Sequence, residues 1–81
     1  MNMLRTRIDL DAIAHNVRVL KKAAGDAQLM CVVKADAYGH GASRVTAVMA
    51  EAGADLFGVA TIAEARHLRA VGVELPVMAW L

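Results

Sequence analysis

The 81-residue chain has one cysteine, one proline and almost no excess of charge of either sign, and each shortage excludes a class of protein. With Cys31 alone, neither an internal disulfide nor a cysteine-built zinc cage can form. Its thiol lies in the middle of an apolar run and is expected to be buried and inert. No unbroken apolar stretch approaches the roughly 18–20 residues that a bilayer span needs. The longest, Leu29 to Val33 and Val77 to Leu81, have the length of strands. Arg5 and Arg7 are followed by no apolar segment of the kind a signal peptide requires, so the expectation is a soluble, cytoplasmic protein with no membrane partner. The net charge is +1 and the two signs are interspersed, which leaves no basic face for nucleic acid. Internal repeats, low-complexity tracts and Ser/Pro-rich linkers are absent, so the chain reads as one continuous segment.

What is present is apolar. At 58% hydrophobic and 21% charged, the composition is too apolar for disorder and rich for a lone domain. Eighty-one residues is near the size at which a single core becomes marginal. One small domain, or a piece of a larger one with apolar surface awaiting a partner, is expected.

The apolar residues change period along the chain. Asp9 can cap a helix running roughly from Leu10 to Ala24, with Leu10, Ile13, Ala14, Val17 and Leu20 at helical spacing and Gly25 just past its end. Gln28 to Val33 is apolar on successive positions, as in a parallel strand covered on both faces. Val45, Val48, Met49 and Ala52 mark a second helix stopped by Gly53, and Leu56 to Ala60 a second strand. Thr61 and Glu64 form a T-x-x-E capping box opening a third helix through Ala65, Leu68 and Val71, which Gly72 ends. Pro76 leads into a third strand, Val77 to Leu81. This α-β-α-β-α-β succession predicts βαβ crossovers and a parallel sheet. A (β/α)₈ barrel takes about 250 residues and a flavodoxin-like sheet about five strands, so the expectation is an incomplete α/β sheet, cut short on its last strand.

In parallel α/β folds ligands bind beyond the carboxyl ends of the strands, the edge that carries Lys34, Tyr38 and Trp80. A lysine entering a pocket there loses hydration, which favours the neutral amine that condenses with an aldehyde. The plainer reading is a lysine that ends a strand and reaches solvent. Tyr38, between Ala37 and Gly39, can donate to a phosphate oxygen or simply cover the rim. Gly39 and Gly41 lead into a helix at about Ala42 or Ser43 and would add backbone N–H groups. Asp36 is expected in a turn, and His40, His15 and His67 in solvent. Gly39-His40-Gly41 begins a G-x-G, but Arg44 stands where the third glycine of a dinucleotide fingerprint belongs, and no P-loop or H-E-x-x-H pattern occurs. No metal site is expected.

The run Val33-Lys34-Ala35-Asp36-Ala37-Tyr38-Gly39-His40-Gly41 resembles, at every position, the pyridoxal-phosphate attachment motif of alanine racemases. Ile8-Asp9-Leu10-Asp11-Ala12-Ile13, Glu51-Ala52-Gly53-Ala54 and Glu64-Ala65 extend the likeness over essentially the whole chain. The resemblance implies that residues 1–81 are the N-terminal part of a pyridoxal-phosphate-binding TIM-type (β/α)₈ barrel, its first βα units preceded by an N-terminal helix, without the family's C-terminal β domain. It implies an isomerase interconverting L-alanine and D-alanine, which supplies D-alanine for peptidoglycan. Lys34 would carry pyridoxal 5'-phosphate as a Schiff base and serve as a catalytic base, Tyr38 would contact the phosphate, and Trp80 would line the cofactor pocket. Packing at the strand end accounts for Trp80 equally well. The family's second base is a tyrosine from the other subunit of a homodimer, for which this chain has no counterpart, so the 81 residues alone are expected to be inactive. Two other readings stand beside this one. Another pyridoxal-phosphate barrel, a homeostasis protein or a decarboxylase, would share the lysine but not the full A-D-A-Y-G-H-G continuation. A noncatalytic phosphate-binding α/β fragment would use Lys34 only as a cation.

Overall fold

The computed structural model describes residues 9–34 and 41–80. Helix α1 (Leu10–Ala24) starts where the Asp9 side chain accepts the Ala12 amide at 3.0 Å, and ends at Gly25. Strand β1 (Met30–Val32) is followed by α2 (Ala42–Ala52), β2 (Leu56–Val59), α3 (Ile62–Ala70) and β3 (Val77–Ala79). The three strands are parallel in the order β1-β2-β3, with Val32 opposite Gly58 and Gly58 opposite Met78. That sequential order, a helix between each pair of strands and one before the first, is the way a (β/α)₈ barrel begins.

The strands are shorter than the apolar runs that announce them. Gln28 and Leu29 precede the ladder, Val33 adds one bond from its amide to the Gly58 carbonyl at 2.8 Å, and Leu81 lies outside the described residues. Val71 is the C-cap of α3 and not part of the helix.

The core lies on one face of the sheet. Val33, Phe57 and Val59 pack there with Val17 of α1, Val45, Met49 and Ala52 of α2, and Leu68 of α3. Thr46 is also buried on this side, its hydroxyl donating to the Ala42 carbonyl at 2.8 Å, and among the described residues no buried side-chain N or O atom lacks a partner. The opposite face is open. Met30, Val32, Met78 and Trp80 expose 38–55% of their surface. The continuous apolar pattern of β1 suggested two covered faces, but all the packed helices contact one side, and among the described residues no helix covers the other.

Leu20 departs from its expected place in the α1 stripe and is 54% exposed. Lys21, four residues after Val17, takes that place. Its stem lies against Gly53, where an added Cβ would meet Lys21 Cγ at 3.0 Å and where φ is +130°, a conformation that L side chains rarely adopt. Lys21 Nζ then reaches Asp55 Oδ2 at 2.7 Å and the Ala27 carbonyl at 3.1 Å, while the same Asp55 oxygen accepts the Leu29 amide at 2.7 Å. One carboxylate thus ties the end of α1 to the entries of β1 and β2.

The Lys21 hydrogen bond, followed by that from Leu29, holds the Asp55 carboxyl below its ordinary value of 3.8. The folded state therefore favours the ionised form, and the stability it adds is whole above about pH 4 and is lost as pH falls through the lower folded value. Urea midpoints measured from pH 7 to pH 2 should fall along an acid limb that Asp55→Asn makes shallower. An unchanged limb would remove Asp55 from the acid response.

The capping box of α3 forms as its residues require. Glu64 N donates to Thr61 Oγ1 at 3.1 Å, and Glu64 Oε1 accepts the Thr61 and Ala60 amides, each at 3.1 Å. Thr61→Ala is expected to lower stability by about 1 kcal/mol, read as a drop in the urea midpoint.

Candidate functional site

Three strands bring Lys34 and Trp80 to one edge. Beyond β1, the Val33 amide bonds to the Gly58 carbonyl; beyond β3, the Trp80 amide bonds to the Val59 carbonyl at 3.3 Å. The end of β2 is therefore flanked by Lys34 on one side and Trp80 on the other. Side chains alternate along each strand, so the register that sets Val32, Gly58 and Met78 in one row sets Lys34, Ala60 and Trp80 in the next, on the open face. All three line a cavity of about 480 Å³, together with Val32, Thr61 and Glu64. That size falls in the range of roughly 300–1,000 Å³ common for small-molecule sites.

Lys34 is exposed at the rim. Removal of water from its amine was an expectation, and the described residues do not supply it: the open face of β1 has no second layer above it. Trp80 is 53% exposed, so it is a wall of the cavity and not part of the core. Tyr38, with Asp36, Gly39 and His40, lies outside the described residues. Gly41 is the N-cap of α2, which has neither a side-chain cap nor an acidic residue in its first turn. At the other helix opening onto this edge, the Glu64 carboxylate already accepts the amides of Ala60 and the N-cap Thr61, just ahead of α3. An anion entering the cavity thus meets a carboxylate beside Thr61 and none in the first turn of α2.

Ala60, Thr61 and Glu64 were not foreseen as lining residues. The signal lay in the capping box, because a helix that starts directly after a strand places its cap at the strand's carboxyl end. Cys31 points toward the helices and is partly buried; burial, with a smaller push from the Asp55 carboxylate, raises its thiol and keeps it inert. His15 and His67 are exposed on α1 and α3. A second cavity of about 380 Å³ lies between α2 and residues 71–75, with Glu74 its only titratable side chain. No described helix is long and apolar enough to cross a membrane.

The first cavity offers a primary amine at a strand end, an indole wall and the small residue Ala60 between them. The model of the family described as alanine racemase, N-terminal domain, matches residues 8–81. The alanine racemase of Corynebacterium efficiens is 64% identical over 81 residues, all of this chain and 22% of its own length. That of Mycobacterium tuberculosis is 62% identical over 74 residues, 91% of this chain and 19% of its own. The crystal structure of alanine racemase from Corynebacterium glutamicum superimposes with a TM-score of 0.83 at 60% identity, over 93% of this chain and 22% of that one. The racemase of Bartonella henselae, solved with covalently bound pyridoxal phosphate, gives 0.74 at 40% identity, over 91% of this chain and 22% of that one. The chain spans about a fifth of the length of these relatives.

Proposed function

The chain belongs to the family of alanine racemase N-terminal domains, and on that premise we propose that it is the coenzyme-anchoring part of a pyridoxal-phosphate-dependent racemase acting on alanine. The observation that carries the proposal is Lys34, in the motif that resembles the family's attachment site, standing at a strand end beside a cavity of ligand size. It forms the first part of a (β/α)₈ barrel domain that the rest of a full-length, homodimeric, cytoplasmic enzyme would complete.

Bound pyridoxal phosphate supplies the electron sink into which the electron pair of the α-carbon is delocalised when its proton leaves. The chain's own residues anchor and orient. Lys34 would hold the coenzyme through Nζ and would serve as the base on one face of the α-carbon. Tyr38 would donate its phenol O–H to the phosphate, and Trp80 would pack beside the ring. The Glu64 carboxylate would disfavour a phosphate at the Thr61 end of the cavity.

Racemisation needs a second proton carrier on the opposite face. In the family that this chain resembles, the carrier is a tyrosine from the other subunit, and Tyr38, the only tyrosine here, is assigned to the phosphate; on that reading the chain by itself anchors without racemising. Treatment with pyridoxal phosphate, then borohydride and peptide mapping, tests the proposal. One label concentrated on Lys34 is expected; label spread evenly over Lys21, Lys22 and Lys34 would refute it.

A further inference from the structure

Gly58, in the middle of the central strand, is buried, and its backbone is not in the left-handed region, so conformation does not explain the absence of a side chain there. Space does. A Cβ at position 58 would stand 2.6 Å from Trp80 Cζ3, 3.3 Å from Trp80 Cη2 and 2.9 Å from Met30 Sδ. The indole of Trp80, attached beyond β3, therefore folds back across β2, and the sulfur of Met30 reaches the same point from β1. Ala60, one row up by the alternation of the strand, also lines the cavity. The ring edge and the sulfur converge over Gly58 closely enough for a favourable sulfur–aromatic contact.

We propose that Gly58 is the positioning residue for Trp80: the missing side chain is the recess that lets the edge of the indole reach back over β2 on the open face of the sheet and form a wall of the Lys34 cavity. A ring seated there is an aromatic wall at a set place, against which a planar coenzyme would pack. With a side chain in the recess the indole edge has to shift away from β2, toward the space the coenzyme would use. The inference rests on the pyridoxal-phosphate reading of that cavity, but its first measurement needs no coenzyme.

Trp80 is the only tryptophan in the chain, so its fluorescence reports this ring alone. In the 81-residue chain, Gly58→Ala should shift the emission to longer wavelength and make it more readily quenched by acrylamide, with the helical circular dichroism unchanged. Pyridoxal phosphate should still label Lys34 under borohydride, but half-saturation should require about two- to tenfold more of it, the range one aromatic contact spans. In a Trp80→Leu background, Gly58→Ala should change that concentration little, because no ring remains to be displaced. Unaltered emission, or an equal loss of affinity with Trp80 and with Leu at position 80, would overturn the proposal. If Gly58→Ala loses its helical signal, the double variant decides: recovery with Leu at position 80 shows that the ring occupied the recess, and failure to recover shows that it did not. Absence of Lys34 labelling in the unaltered chain would refute the coenzyme reading and leave the emission test of Gly58 standing.

Discussion

Lys34→Ala is expected to abolish site-specific incorporation of pyridoxal phosphate, reducing borohydride-fixed label to the background set by Lys22 and the α-amino group. The other two lysines are poor competitors for structural reasons. Lys21 is committed to Asp55 and the Ala27 carbonyl, with its stem against Gly53, and Lys22 sits exposed on α1 and lines neither cavity. Lys34 alone lines the cavity that Trp80 walls. Lys34→Arg is the informative companion, because it keeps the charge and cannot form the covalent link. Equal loss in both variants identifies the amine as a nucleophile. Retention of binding with arginine would mean that the residue acts only as a cation, the noncatalytic phosphate-binding reading. Because Lys34 is exposed, neither substitution should move stability by more than about 0.5 kcal/mol, so intact circular dichroism accompanies the loss of label.

Phe57→Ala should cut the urea midpoint by about a third or more, and abolish the cooperative transition where the chain's total stability lies near the low end of its range. Phe57 is 1% exposed, the largest of the fully buried side chains, and lies on the central strand between Cys31 of β1 and Val77 of β3. Truncating such a ring typically costs about 3–5 kcal/mol. A chain of this length has about 4–12 kcal/mol in total, at roughly 0.05–0.15 kcal/mol per residue. The variant should also lose Lys34 labelling, since Lys34, next to Val33, and Trp80 are placed beside each other by the bonds that the Val33 and Trp80 amides make to the two sides of β2. A midpoint shift equivalent to less than about 1 kcal/mol would show that the ring is not the centre of the core.

The helix starts and stops were legible because they depend on residues three or four apart. Asp9, Gly25, Gly53 and the Thr61–Glu64 pair act within one turn, so the interactions that place them are written in consecutive positions. Strand existence was legible from apolar runs, but strand length was not, because a ladder extends only as far as a neighbouring strand runs beside it. Leu20 and Lys21 exchanged roles in α1 for a related reason. Periodicity counts a lysine as polar, while its methylenes here fill the space over a glycine 32 positions away.

From the order of residues alone came the α-β-α-β-α-β succession, the strand-end lysine and the likeness to the racemase motif, since each lies in a short window of chain. Tertiary structure decided which face of the sheet is covered, set Lys34, Ala60 and Trp80 in one row, and gave Gly58 its purpose. Those facts depend on register between strands some 20–26 positions apart, and a glycine needed for another residue's ring looks in sequence like any weak point in a strand.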